Sequence, residues 1–215
     1  MTSPMTLDTY LQQQRQDFID AFKHPAAYPV GVQDPAQTVG VFPPASTWNW
    51  DATVEGHKAF LRTVGGRAKE YWVTVSPDFD RRYREAFLAF LERERGVISA
   101  SVPKALHADH VLNAAFARRH GLQYVRMALV WNTYNMSYGS KIEKNLTRAD
   151  AHGKRMYLID YIIFAKVLNI APPVNYDDYR RRRREIARSI ASTGVEAEEL
   201  ALRGMDGFFE LWRVI

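Results

Sequence analysis

The chain has 215 residues, 47% of them hydrophobic and 13% aromatic, which is enough apolar matter for one large domain and argues against disorder. It contains no cysteine, so disulfides, zinc–thiolate centres and cysteine nucleophiles are excluded. A formal net charge of +5 and an isoelectric point of about 9.4 favour an anionic partner, nucleic acid among them.

Thr6–Phe22 carries Leu7, Tyr10, Leu11, Phe18, Ile19 and Phe22 at helical spacing behind Asp8, which predicts an amphipathic helix. From His24 to Asp51 the pattern ends, and five prolines (Pro25, Pro29, Pro35, Pro43, Pro44) predict a long irregular connector. Val54–Val64 reads as a short helix closed by Gly65 and Gly66, and Lys69–Ser76 as a strand stopped by Pro77. Arg81–Arg95 is predicted as a helix with Tyr83, Phe87, Phe90 and Leu91 on one face, ended by Gly96. Val97–Val102 reads as a short strand.

Leu106–Leu112 follows as a strand ending near Asp109 and His110, then a helical Asn113–His120 closed by Gly121. Tyr124–Trp131 is the strongest strand pattern in the chain. The polar stretch Asn132–Asn135 leads into a helix over Met136–Arg148. Tyr157–Leu168 and Tyr176–Ile190 are helices separated by Pro172 and Pro173, Glu196–Leu202 is a further helix, and Phe208–Trp212 an apolar anchor. The expected class is therefore α+β and helix-dominated: a small ββα element inside a mostly helical single domain. Residues 1–50 form the N-terminal helix and proline-rich connector, and 51–215 the main helical domain with a site over 104–148.

Met1–Gln16 lacks the charged and apolar runs of a secretory leader. The most apolar stretch, Met156–Leu168, contains Asp160 and Lys166 and is too short to span a bilayer. The expectation is a soluble protein with no membrane partner, cytoplasmic or delivered into a target cell without a classical signal peptide.

Most side chains suited to catalysis gather between Lys104 and Lys144. The order there is strand with Asp109 and His110, strand, asparagine turn, then helix with Glu143. This order resembles the ββα-metal fold of the HNH and non-specific endonuclease superfamily. The resemblance implies His110 as general base, Asp109 as ligand to a divalent metal (Mg²⁺, or Mn²⁺ or Zn²⁺), Asn135 as the orienting amide and Glu143 as a further metal ligand. Where HNH proteins carry a helical histidine this chain has Glu143, as the non-specific endonucleases do.

The chemistry is coherent. An imidazole titrates near neutrality, about pH 6.5, and can take a proton from water, while a hard cation neutralises the phosphate. Asn135 and Glu143 stand eight residues apart, roughly 80° around a helix. Each residue also has a plainer reading. His110 is equally a half-buried structural histidine, Asn132 and Asn135 are turn formers, and Glu143 with Lys144 is a solvated pair.

Arg180–Arg184 is a run of five arginines in a helix. Arg180, Arg181 and Arg184 are candidates for clamping phosphates, or they pair with Asp177, Asp178, Glu185 and other carboxylates. Trp48 and Trp50 either stack on bases or pin the connector to the body. No serine elbow, phosphate loop or dinucleotide fingerprint is present. The expected function is a metal-dependent nuclease hydrolysing phosphodiester bonds of nucleic acid. Small nucleases of that kind resemble toxins that bacteria deliver into competitors, which implies a cognate immunity protein as partner. The alternatives are a non-catalytic nucleic-acid-binding protein using the arginine helix, and an interaction protein of the immunity or adaptor kind.

Overall fold

The computed structural model describes residues 5–23, 29–38, 46–79, 82–143 and 155–214. Seven strands form one curled, fully antiparallel sheet: β1 (Pro29–Val32), β2 (Ser46–Trp50), β3 (Ala59–Val64), β4 (Arg67–Thr74), β5 (Leu106–His110), β6 (Tyr124–Trp131) and β7 (Met156–Leu158). Their order is β2-β3-β4-β6-β1-β7, with β5 paired to the second half of β6. Around them lie α1 (Leu7–Lys23), α2 (Tyr83–Arg95), α3 (Ala114–Arg119), α4 (Asn132–Tyr138), α5 (Tyr161–Val167), α6 (Tyr176–Ala191) and α7 (Glu198–Val214). No helix among the described residues is long and apolar enough to cross a membrane.

This architecture corrects the helix-dominated expectation. The organising element is the seven-stranded sheet, and the hairpin β5–β6 is one part of it. The largest change is at 54–64, where a helix was expected. Only Glu55–His57 winds into a 3₁₀ turn, and Ala59–Val64 is a strand paired on both sides, Phe60 with Trp50 and with Trp72. Gly65 and Gly66 both have positive φ (56° and 75°), the backbone that a two-residue hairpin demands. They turn the chain from β3 into β4. The connector likewise supplies β1 and β2, because Trp48 and Trp50 find an aromatic floor in Phe60, Trp72 and Tyr124.

Smaller differences follow from capping. Asp160 accepts hydrogen bonds from the amides of Ile162 and Ile163, so α5 starts after it and Met156–Leu158 is left extended as β7. Ser99–Ser101 is a 3₁₀ turn instead of a strand, and α7 runs unbroken where a helix and a separate anchor were expected. Met136–Arg148 is helical from Asn132 to Tyr138 and π-helical over Gly139–Glu143; the remainder lies outside the described residues.

The β5–β6 hairpin lies between two hydrophobic cores. Leu106 and Ala108 of β5 join Met127 and Leu129 of β6 against Phe87 and Phe90 of α2. Ala128 and Val130 face the other core, with Tyr138, Ile142 and Phe164. A strand sends successive side chains to opposite faces, so this division assigns a side to every residue of β5.

Candidate active site at the edge of β5

Asp109 and His110 are neighbours in a regular strand, in register with Ala128 and Met127, and they point to opposite faces. His110 goes with Leu106 and Ala108. It is 4% exposed, and its ring lies 4.6 Å from that of Tyr83 on α2, tilted by 57°. Asp109 goes with His107 toward α4 and α5. There its Oδ2 sits 2.7 Å from Nζ of Lys166, an ion-pair distance outside directional hydrogen-bond geometry. Lys166 is 1% exposed, so the carboxylate faces an ammonium that has been taken out of water.

Asn135 stands in the first turns of α4 and meets His107, not His110, at a cavity. This cavity of about 300 Å³ runs along the edge of β5 and is lined by Tyr83, Arg84, Lys104, His107, Ala108 and Asn135. Arg84 is anchored to the strand, Nη1 donating to the carbonyl of Leu106 at 3.0 Å. Asn132, the first residue of α4, donates its amide to the carbonyl of Ala105, which ties the helix start to the end of β5 where Lys104 projects. Trp131 is 38% exposed at that same end. The wall thus combines two cations, an imidazole and a carboxamide, with no carboxylate among the described residues. It suits a small anion or a phosphate ester beside a group able to carry a proton. A larger cavity, about 570 Å³ and bounded by Glu55, Arg82 and Glu85, has no histidine and two carboxylates that oppose an anion.

The divalent-metal expectation finds no matching donor set among the described residues. No group of three or more metal-ligating side chains converges there. Asp109 already faces Lys166, and the Glu143 side chain lies outside the described residues.

The arginine run is engaged partly within α6 and partly across to α7. Arg183 pairs with Asp206 at 3.1 Å and Arg184 with Glu199 at 3.5 Å. Arg181 and Arg182 reach Asp178, and Arg182 also reaches Glu185. These residues lie on a different element from the β5 cavity, and Arg180, Arg181 and Arg184 are exposed. Trp48 and Trp50 pack edge-to-face on each other at 5.3 Å, and Trp50 also stacks on His57.

Sequence reasoning passed over Lys104, Arg84, Tyr83 and Lys166. A signal for His107 was present: in a strand, positions 107 and 109 share a face and 110 does not. No local pattern marks Lys166, whose partner comes from a strand far away in sequence. The chain matches no protein-family model, no curated protein and no solved structure.

Proposed function

We propose that the edge of β5 is a phosphodiester-hydrolysing site that acts on nucleic acid. The observation that carries this reading is the cavity in which His107 and Asn135 meet Lys104 and Arg84. Lys104 and Arg84 hold the phosphate by charge-assisted hydrogen bonds. His107 takes a proton from water as the water oxygen bonds to phosphorus; the P–O ester bond breaks, and the departing oxygen takes a proton from solvent. Asn135 orients the water or a phosphate oxygen. Tyr83 in the cavity wall and the exposed Trp131 offer aromatic surface for bases. The net charge of +5 favours a polyanion over a small phosphate ester. His110 packs against Tyr83 behind that wall.

The test is cleavage of plasmid and of RNA, with Mg²⁺ and with EDTA, by the wild type and by His107→Ala, His110→Ala and Lys104→Gln. His107→Ala is expected to lower the rate by about 10²–10⁴-fold, and Lys104→Gln to raise KM more than it lowers kcat. Substrates left intact by the wild type under every condition would overturn the reading. Full activity in His107→Ala with loss in His110→Ala would move proton transfer to the other face of β5.

A further inference from the structure

Between α1, β4, α2 and the middle of β6 lies a small enclosed cavity whose polar wall comes from Gln14, Asp17, Lys69, Glu70, Arg95 and Arg126. Its free volume is about 10 Å³, close to what the centre of a single water-sized particle sweeps. Two buried nitrogens of its lining residues, Nη1 of Arg126 and Nε of Arg95, have no hydrogen-bond acceptor. Arg126 is 3% exposed and lies with its guanidinium 4.0 Å from the ring centre of Phe18. Its Nη1 is 3.1 Å from Glu70 Oε1, at ion-pair distance but outside hydrogen-bond geometry.

Glu70 is already taken. Both its oxygens accept from Arg62 at 2.7 Å, and the indole N–H of Trp72 donates to one of them at 3.2 Å. A guanidinium can only donate, so whatever fills the cavity must accept from both arginines. The charges lean the same way. Lys69, Arg95 and Arg126 line the cavity with Glu70 and Asp17, and Arg62 reaches Glu70 from behind, so cations outnumber carboxylates around it. Buried cationic donors without an acceptor are costly, and a monatomic anion in the cavity can accept from several donors at once.

We infer that this cavity is a binding site for a small monovalent anion, chloride at physiological salt. Lys69 and Arg95 are half-buried, and their long stems give by the few tenths of an ångström that separate a chloride from a water. The site is independent of the chemistry assigned to β5. It ties α1 and the end of α2 to the sheet, so its occupancy reads out as stability.

Thermal unfolding at fixed ionic strength tests it, with sodium chloride against sodium gluconate, on the wild type and on Arg95→Gln. The wild type is expected to melt about 3 °C higher in chloride, and Arg95→Gln to melt at the same temperature in both salts. Crystals of the wild type grown in bromide are expected to show an anomalous peak within hydrogen-bond distance of Arg126 Nη1. Equal melting of the wild type in the two salts, with an ordered water and no bromide signal in the cavity, would overturn the inference.

Discussion

Along its first residues, Tyr124 and Val125, β6 runs between two strands, β4 and β1, whereas from Met127 onward it has β5 on one side and a helix side chain on the other. That side chain is Gln14 of α1, which donates to the carbonyl of Leu129 at 2.9 Å and accepts from its amide at 2.8 Å, as a strand backbone would. The first half is closed by stacked aromatics and by the Arg62–Glu70–Arg126 cluster, with both Glu70 and Arg126 out of water. The second half ends at the edge of β5, where His107, Lys104 and Asn135 line an open cavity. Polar groups used up in building the first half are therefore structural, and those left at the second are available for chemistry. One strand thus carries both kinds of region.

The sharpest way to break this contrast is at Glu70. Burial alone would raise its pKa, but Arg126 and Arg62 hold it down, from 4.5 to about 2. Glu70→Gln strips two buried arginines of their counter-charge and is expected to destabilise the fold by about 3–5 kcal/mol, measured by urea unfolding. Because the folded pKa lies below the unfolded one, the contribution is full above pH 4.5 and fades as pH falls from 4.5 toward 2. The wild type should lose stability through that window, and Glu70→Gln should lack this increment. A loss below about 1 kcal/mol would show that the cluster does not hold that half together.

Gln14→Ala comes next. It leaves the amide and carbonyl of Leu129 buried without partners and is expected to cost about 2–4 kcal/mol. Hydrogen exchange read at the Leu129 amide checks it, and unchanged protection there would mean that α1 does not complete the sheet. The smallest effect is expected in the β5 cavity. His107→Ala and Lys104→Gln should each change stability by no more than about 0.5 kcal/mol. A larger loss in either would make the cavity wall structural, like the first half of β6.

Parts of the candidate site were legible because they depend on local pattern. Leu106–His110 alternates buried and half-buried residues, and Tyr124–Trp131 is a run of β-branched and apolar residues, so both strands could be read directly. Asn135 was also placed near the right strand. What could not be read was which partner each side chain meets. Asp109 and His110 are adjacent letters with the chemistry of a base and a ligand, yet the pleat separates them, and Asp109 is met by Lys166 from α5. At 54–64 the residue types suit helix and strand alike. The choice fell to pairing with Trp50 and Trp72, and the Gly65–Gly66 turn that makes the hairpin served equally well as a helix stop.

The sequence by itself determined the amphipathic helices α1, α2 and α6, the two strands of the β5–β6 hairpin, the lack of any thiol chemistry and the basic character of the molecule. These follow from residue type and from periods of two and 3.6, which act over neighbouring positions. Only the tertiary structure decided that the connector supplies two strands, that His107 and not His110 shares a cavity with Asn135, and that Arg183 and Arg184 of the arginine run pair with carboxylates of α7. Each of those outcomes rests on a contact between residues distant in sequence. Such contacts form only when the sheet has brought its strands together, and burial then fixes which side of each strand meets water.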